Sequence, residues 1–541
     1  MCSFLSPSHQ CWNVTNEQAK LIRQRNDIAF GATIFEYSTE NERNHSLTPE
    51  TDPPRLKRVL GRVDLIFFLI AAEVNLNSVP VVARCGPVAF SLWIAGFFLF
   101  FIPQGVAVLE LSRRFPQEGG IYRWNKTAFG DFHGFISGWS YWTNNIFYLP
   151  TLLFYIVGFS TFIGGQLTAG LSGNPLFMTG VSLTLLWLIT WLNIRGFVVG
   201  KWVQTIGASG TFITTMIILG IGVVAVGKSG MATVIDEASL LPALGDWSGI
   251  MLLGAVCLNY VGLELASVVG DEVKDHKRDV PFAVVVAGIA TVVLYLTATF
   301  ALQITIPASN IGIIDGILQG VQQAAASIGW EWIVVPIALL MILNAAGNAT
   351  AWLAGSSRIP FVIGIDRYLP SAFGRLHPRH HTPHIALIVQ SSASSLFIVI
   401  SAIGSSVHDM YMILLQTTIV LTLTPYLYMF GALVRIRRSP ARFGAGEGFF
   451  KDAWICYVAG VVGFGMTLFG LVFAFSPSPG VEDVIGFEVK LLLGTLGFLI
   501  PTVLIYRWHV PRRRPPRPVA VEVAKDQSLS AVEMRSNGSG Q

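Results

Sequence analysis

The stretch Asp64-Leu-Ile-Phe-Phe-Leu-Ile-Ala-Ala-Glu-Val-Asn-Leu-Asn-Ser-Val-Pro80 decides how this chain is read. An apolar run meets an acid, Glu73, and then Asn75, Asn77, Ser78 and Pro80, which weaken a helix. A second stretch repeats the pattern: Gly249-Ile-Met-Leu-Leu-Gly-Ala-Val-Cys-Leu-Asn-Tyr-Val-Gly-Leu-Glu-Leu-Ala266 carries Glu264 close to Asn259 and Gly262. An ionisable group at bilayer depth costs roughly 2.5–3.5 kcal/mol on insertion scales, so it normally faces a cavity and has a task. Interrupted apolar segments in corresponding halves of a chain point to the binding site of a secondary transporter. The two stretches together predict a carrier.

The rest of the composition agrees. Mean hydropathy is +0.58, with 52% hydrophobic and 13% charged residues, far from the quarter of charged residues found in soluble domains. The apolar residues fall into about twelve stretches, each near the roughly 20 residues that span a bilayer. They lie at about 64–84, 86–110, 133–163, 175–194, 200–226, 247–270, 282–306, 330–356, 384–404, 410–434, 453–475 and 487–507. The predicted class is an all-α polytopic membrane protein of twelve transmembrane helices. Residues 1–60 and 509–541 read as disordered tails on cytoplasmic ends, around a transporter domain at 61–508.

Charge placement sets the expected orientation. With residue 1 on the cytoplasmic side, only Arg84, Lys228 and Lys490 of the 36 Lys and Arg fall outside. The outer loops hold Asp236, Glu237, Asp246, Glu482 and Asp483 instead. This is the positive-inside pattern for N-in, C-in topology. The net charge of +4 therefore reflects topology and gives no reason to expect nucleic acid. The runs Arg55-Leu-Lys-Arg58 and Arg512-Arg-Arg-Pro-Pro-Arg517 are orientation signals or contacts to anionic lipid. The five cysteines have no metal-ligand spacing, and no apolar leader segment opens the chain. No nucleophile–base pair, metal set or phosphate loop lies at membrane depth, so neither an enzyme nor a cofactor is expected; the driving force would be a proton gradient, with sodium an alternative. A sensor would be expected to carry a soluble signalling domain, and every loop is short for one.

Three short patterns carry mechanism. Pro116-Gln-Glu-Gly-Gly-Ile-Tyr-Arg-Trp-Asn-Lys-Thr-Ala-Phe-Gly-Asp131 is a gate or a connector at the membrane interface. Leu258-Asn-Tyr-Val-Gly-Leu-Glu264 permits unwinding, which turns backbone groups toward a cavity. There Glu264 binds a proton, pairs with a substrate amine or only fixes helix contacts. After the eighth stretch, Arg358, Asp366 and Arg367 are placed for a charged latch, and His377, His380 and His381 read as solvated loop residues. Other polar groups inside the stretches are Asn144, Asn145, Asn344, Asn348 and Gln416. Asn344 and Asn348 share one helix face and serve either a cavity or interhelical hydrogen bonding. Trp139, Tyr141, Trp142 and Tyr148 pack the third stretch or meet a substrate amine through their rings.

Gly119-Gly-x-Tyr122 with Phe129-Gly130, Tyr260-x-Gly262-x-Glu264 with Glu272-Val-Lys274 and Pro281, and Arg358 with Asp366-Arg-x-Leu-Pro370 and His377-Pro-Arg-x-x-Thr-Pro383 together resemble the amino acid–polyamine–organocation superfamily of carriers. The resemblance runs from about Asp64 to Arg438 and more loosely to the twelfth stretch. It implies a LeuT-like 5+5 inverted repeat with two peripheral helices, and substrate held where spans one and six break. Glu264 falls on the superfamily's span-six acid, often linked to proton coupling. The implied substrate is a small amino acid or amine, and the implied place is the plasma membrane. The expected substrate residues are Glu73, Asn75, Asn77, Ser78, Asn144, Asn259, Tyr260, Gly262, Asn344 and Asn348, with Glu264 and Glu73 as proton sites. Two departures matter. The first break lacks the glycines of amino acid carriers, and its acid looks like the Phe-Glu-Val-Ser-Gly-Gly break of polyamine-uptake members. A span-five lysine that some members use in place of sodium would fall near Thr211 and is absent. Residues 164–174 hold no cysteine, so no disulfide-linked heavy chain is expected.

Overall fold

The computed structural model describes residues 56, 58–163, 171, 174–241, 252–312, 316–401, 407–475 and 484–509. The predicted tails lie almost wholly outside these residues. Among the described residues there is no β-strand, only an isolated parallel bridge between Leu60 and Val273. Nine helices there are long and apolar enough to cross a membrane unaided, and helix overlaps every one of the twelve apolar stretches.

The first stretch is two helices, α1 (Arg62–Glu73) and α2 (Val79–Ala83), joined through a single 3-10 turn at Leu76–Ser78. Helices α3 (Val88–Gly96) and α4 (Ile102–Arg114) form a second rod through a π-turn at Phe97–Phe101. A short helix α5 (Gly120–Phe129) precedes α6 (Asp131–Ile163), α7 (Pro175–Ile194) and α8 (Phe197–Ser229). The sixth stretch is again broken, into α9 (Leu253–Asn259) and α10 (Leu265–Val268). Then follow α11 (His276–Thr305), α12 (Gly316–Ile328), α13 (Val334–Ile365), α14 (His384–Ser401), α15 (Val407–Arg438), α16 (Ala453–Phe473) and α17 (Val484–His509). At 1.5 Å per residue, the 33 residues of α6 and 32 of α13 exceed a hydrocarbon core of about 30 Å, so both must tilt or project beyond it.

The polarity of this molecule is turned inside out. Trp187, Leu188, Trp191, Ile213, Val223, Ile289, Leu396, Val461 and Leu504 are exposed, while Asn145, Gln104, Thr211, Thr299, Gln390 and Ser394 are buried. Lipid supplies no hydrophobic drive between helices, so close packing of small residues and internal hydrogen bonds hold them together. Helices α8 and α13 cross at Gly207 and Gly347; a Cβ on Gly207 would stand 2.8 Å from the Leu343 carbonyl oxygen. Trp142 Nε1 donates to Gln390 Oε1 at 3.0 Å and Ser394 Oγ to the Ile146 carbonyl at 3.0 Å, which tie α6 to α14.

At one end of the bundle, rich in arginine and here called the basic end, the three sequence motifs become one assembly. Gly119 and Gly120 adopt φ of +94° and +30°, a backbone that favours glycine. They bring the chain against Val268 and Ser267 of α10 and Val362 of α13, and a Cβ on Gly120 would lie 2.7 Å from Ser267 Oγ. The latch residues pair across motifs rather than with one another. Arg358 Nη2 meets Glu272 Oε1 at 2.9 Å with both side chains buried, and Asp366 Oδ2 accepts from Lys126 Nζ at 2.6 Å and from the Tyr122 hydroxyl at 2.7 Å. Arg367 is exposed at φ 61°. The lead-in to α1 is tied to the segment after α10: the Val59 and Leu60 amides donate to the Glu272 carbonyl and Lys274 donates to the Leu60 carbonyl, all at 2.9 Å.

A second buried cluster at the basic end is built on Glu110. Its Oε1 accepts from Arg114 Nε at 2.8 Å and Arg437 Nη1 at 3.1 Å, and its Oε2 from the Phe449 and Phe450 amides at 2.7 and 3.0 Å. One carboxylate thus joins α4, α15 and the loop that leads to α16. Removing one member of a buried ion pair strands the other charge, at about 3–5 kcal/mol. Glu110→Ala is therefore expected to lower the melting temperature of the detergent-purified protein markedly. Arg113→Ala, at a position outside the cluster, should leave it close to the parent.

Candidate functional site

The break in the first stretch falls immediately after Glu73. Val74 and Asn75 are extended (ψ 96° and 91°), so the last carbonyls of α1 have no helical acceptor role to fill. The carbonyls of Ala72, Glu73 and Val74 each have a side-chain donor from another helix. Asn348 Nδ2 and Trp352 Nε1 of α13 donate to the Ala72 carbonyl at 3.1 and 2.9 Å, and Asn344 Nδ2 to that of Val74 at 3.4 Å. The Tyr295 hydroxyl of α11 reaches the Glu73 carbonyl at 2.7 Å and the Asn259 carbonyl at 3.0 Å, while accepting the Asn75 amide at 3.1 Å. One phenol therefore bridges the broken ends of both interrupted stretches. Its ring is held by Trp93, stacked at 4.4 Å between centroids, whose indole donates to Thr299 Oγ1 at 2.9 Å.

The second break runs from Tyr260 to Glu264 and turns on Gly262, whose φ of +144° no other residue adopts without strain. The lack of a side chain has a second use, because a Cβ there would meet Glu73 Cγ at 2.7 Å. The two breaks are thus in direct contact through the acid of one and the glycine of the other. Glu73 is buried, and its Oε2 accepts from Thr291 Oγ1 of α11 at 2.8 Å. Its Oε1 has no hydrogen-bond partner among the described residues.

Beside Glu73 lies a small, partly open cavity. Its polar wall includes Glu73, Asn75, Ser78, Asn144, Tyr148 and Asn259, and among the described residues its lining contains no Lys, Arg or His. Asn75 Nδ2 donates to the Tyr148 hydroxyl at 3.2 Å, which donates to Asn348 Oδ1 at 3.1 Å; Ser78 Oγ is bonded to Asn259 Oδ1. Glu264 is not part of this lining. It is fully buried, and its oxygens accept from the Tyr141 hydroxyl at 2.7 Å, Gln104 Nε2 at 3.0 Å and the Gly262 amide at 3.2 Å.

Residues 59–497 match the amino acid permease family. The chain belongs to the amino acid permease family. Its relatives include an uncharacterised transporter of Legionella pneumophila, 26% identical over 84% of this chain and 97% of the relative. A probable agmatine/putrescine antiporter of Lactococcus lactis is 23% identical over 68% of this chain and 79% of its own. The branched-chain amino acid permease BcaP of Bacillus subtilis is 23% identical over 63% and 74% respectively. Among solved structures, the crystal structure of MhsT in complex with L-phenylalanine superposes with a TM-score of 0.53 at 14% identity, covering 83% of this chain and 99% of that one. The fold is therefore LeuT-like, and the chain is an integral multi-pass membrane permease.

Of the residues that sequence singled out in this permease, Glu73, Asn75, Ser78, Asn144 and Asn259 line the cavity together. Tyr260 lies behind them, donating to the Trp93 carbonyl at 3.0 Å, and Gly262 separates the two acids. Asn344 and Asn348 fall outside the lining, committed to the carbonyls of the first break; Asn344 also bonds Thr211 Oγ1, at the position where a lysine is absent. Asn77 is buried away from the lining, with neither amide atom bonded among the described residues. Tyr141 serves Glu264, Trp142 serves Gln390, and the Gln416 side chain lies outside the described residues. Sequence reasoning missed Tyr295, Thr291, Trp352 and Gln104. The available signal was spacing: Thr291 and Tyr295 stand four apart on one face of an otherwise apolar run.

Tyr295→Phe keeps the ring stack and deletes the bridge. An unsatisfied buried polar group costs about 1–3 kcal/mol, so the variant should melt at a lower temperature. Substrate uptake should fall by about tenfold or more, since 1.4 kcal/mol is a factor of ten. Uptake equal to the parent would show that the bridge does not hold the site's geometry.

Proposed function

We propose that this permease carries amino acids or related amines by alternating access, coupled to a proton gradient, through twelve spans with both termini and the basic end cytoplasmic. One observation supports the amine above all: the cavity contains a carboxylate with an unpartnered oxygen, and no basic residue lines it among the described residues. An ionised acid in that setting is stabilised by a cation supplied from outside the protein, and a protonated amine is one. The family relationship, with a probable agmatine/putrescine antiporter and a branched-chain amino acid permease among the relatives, is in keeping with both kinds of amine. In this reading Glu73 receives the amine, with Asn75, Ser78, Asn144 and Asn259 around the rest of the solute. Glu264, walled off by Gly262, is the proton-linked acid.

A second reading narrows the substrate to polyamines such as putrescine and spermidine. An amino acid also needs donors for its carboxylate, and a bare backbone at a helix break is the usual source. Here the Asn75 amide is bonded to Tyr295, the Asn77 amide to Asn75 Oδ1 and the Ser78 amide to the Asn75 carbonyl. At the other break Gly262 donates to Glu264. That occupancy favours a solute with amines alone.

The test is uptake of labelled putrescine, spermidine and a panel of amino acids into proteoliposomes, with and without an inward proton gradient. Removing one partner of a buried charge pair costs about 2 kcal/mol or more, so Glu73→Gln should raise the KM for the transported amine by about thirtyfold or more. Glu264→Gln should retain counterflow while losing the response to the gradient. Amino acid uptake indifferent to Glu73→Gln would overturn the amine assignment at Glu73, and absence of any counterflow would overturn the substrate class.

A further inference from the structure

Around Arg358 at the basic end, the described residues hold more buried negative charge than that one buried cation balances. Glu118, in the turn just before Gly119, is 5% exposed, and Glu272 is 3% exposed. Arg358, itself 2% exposed, bonds Glu272 Oε1 at 2.9 Å, and its charge also acts on Glu118. One oxygen of each acid, Glu118 Oε1 and Glu272 Oε2, is buried with no hydrogen-bond partner among the described residues. Among the described residues the other charges that face Glu118 are Asp271, from the segment after α10, and Arg123 of α5, which is half-buried and donates through Nε to the Glu118 carbonyl at 3.0 Å. Two buried carboxylates with one buried guanidinium leave a surplus negative charge shielded from solvent, which is costly unless a proton neutralises it.

We propose that Glu118 is a proton-binding site built into the gate, holding a proton while the Gly119-Gly120 turn is packed on α10 and α13 and releasing it when the turn lifts and water reaches the carboxyl. The ligand is a single proton, taken by the free carboxylate oxygen with no other bond made or broken. It is taken from and returned to the cytoplasmic side, so this site adjusts gate opening to cytoplasmic pH and moves no net charge across the membrane. It is separate from Glu73 and Glu264, and it does not depend on which amine is carried.

The sign of the effect follows from the burial. Desolvation, with the Glu272 charge beside it, raises the Glu118 carboxyl well above the ordinary carboxylate range in the closed gate, and Arg358 offsets this only in part. The open, wetted gate restores an ordinary value. The closed state therefore has its full advantage below the open-state value and loses it as pH rises through the raised one: acid cytoplasm closes the gate and alkaline cytoplasm favours opening.

Two readouts on the full-length protein in lipid, neither needing a substrate, test this. The infrared band of a protonated carboxylic acid should lose one component in Glu118→Gln relative to the parent at neutral pH. Hydrogen exchange of the peptide around residues 116–125, corrected for intrinsic rate, should slow in the parent by up to about tenfold for each pH unit lowered within the titration window. Glu118→Gln should exchange slowly at every pH, because its side chain carries no charge to desolvate. An unchanged infrared band would show Glu118 ionised and overturn the proposal. Loss of the band without pH-dependent exchange in the parent would overturn the link to the gate. Glu118→Asp, which retains a carboxyl, should restore the pH dependence, which separates titration from a simple packing defect.

Discussion

Breaking a helix inside a bilayer strands backbone groups where no water can receive them, and the rest of this structure is arranged around that constraint. The orphaned carbonyls of Ala72, Glu73 and Val74 draw donors from α11 and α13, and the Tyr295 hydroxyl extends the same service to Asn259 on the other broken stretch. Each unmet group would cost several kcal/mol in hydrocarbon. The donors are therefore as necessary to the fold as the apolar surface. Because one hydroxyl serves both breaks, and the Leu60–Val273 bridge joins the same two segments at the basic end, spans one and six are linked at two levels. That double linkage suits a pair of half-helices that move as one body.

The two acids that first draw attention have opposite surroundings although only Gly262 separates them. Glu264 is enclosed by three donors on three different elements, α4, α6 and its own break. Glu73 has one donor, Thr291, and an open oxygen on the cavity wall. The same residue type thus yields one group whose two oxygens are both met by the protein and one with an oxygen that no described residue meets. The difference arises from neighbours rather than from depth, since both are buried. Gly262 makes the arrangement possible: its missing side chain admits Glu73, and its amide, turned by a positive φ, points to Glu264.

The class of fold and the location of the breaks were legible because each depends on a local departure from apolar composition. An acid followed by Asn, Ser and Pro, or by Gly, stands out in such a run. The partners of the breaks were not legible in the same way. Tyr295, Thr291 and Trp352 are single polar or aromatic residues on long apolar helices, where sequence gives the face but not the neighbour. Asn344 and Asn348 show the limit well. Their shared face was evident, but whether it met a cavity or a backbone depended on where α1 ends, which is a property of the packed molecule. The charged residues after the eighth stretch had the same ambiguity: a latch was visible, its partners in the other two motifs were not.

Among the described residues, ion pairs gather at the basic end, and none involves Glu73 or Glu264, the acids of the two breaks. Beside the breaks, the Glu73 carboxyl has one donor, Thr291, and an oxygen that no described residue meets. At the basic end the ion pairs are supplied by the protein itself, Arg358 with Glu272 and Lys126 with Asp366, and join segments that lie far apart in sequence. Such pairs contribute little net stability once desolvation is counted, but they are specific in geometry. In the transport cycle proposed above, a surface that opens and closes needs that combination. Contacts of large net strength would hold it shut, whereas contacts that are exact in direction and modest in free energy let the same surfaces part and meet again in register.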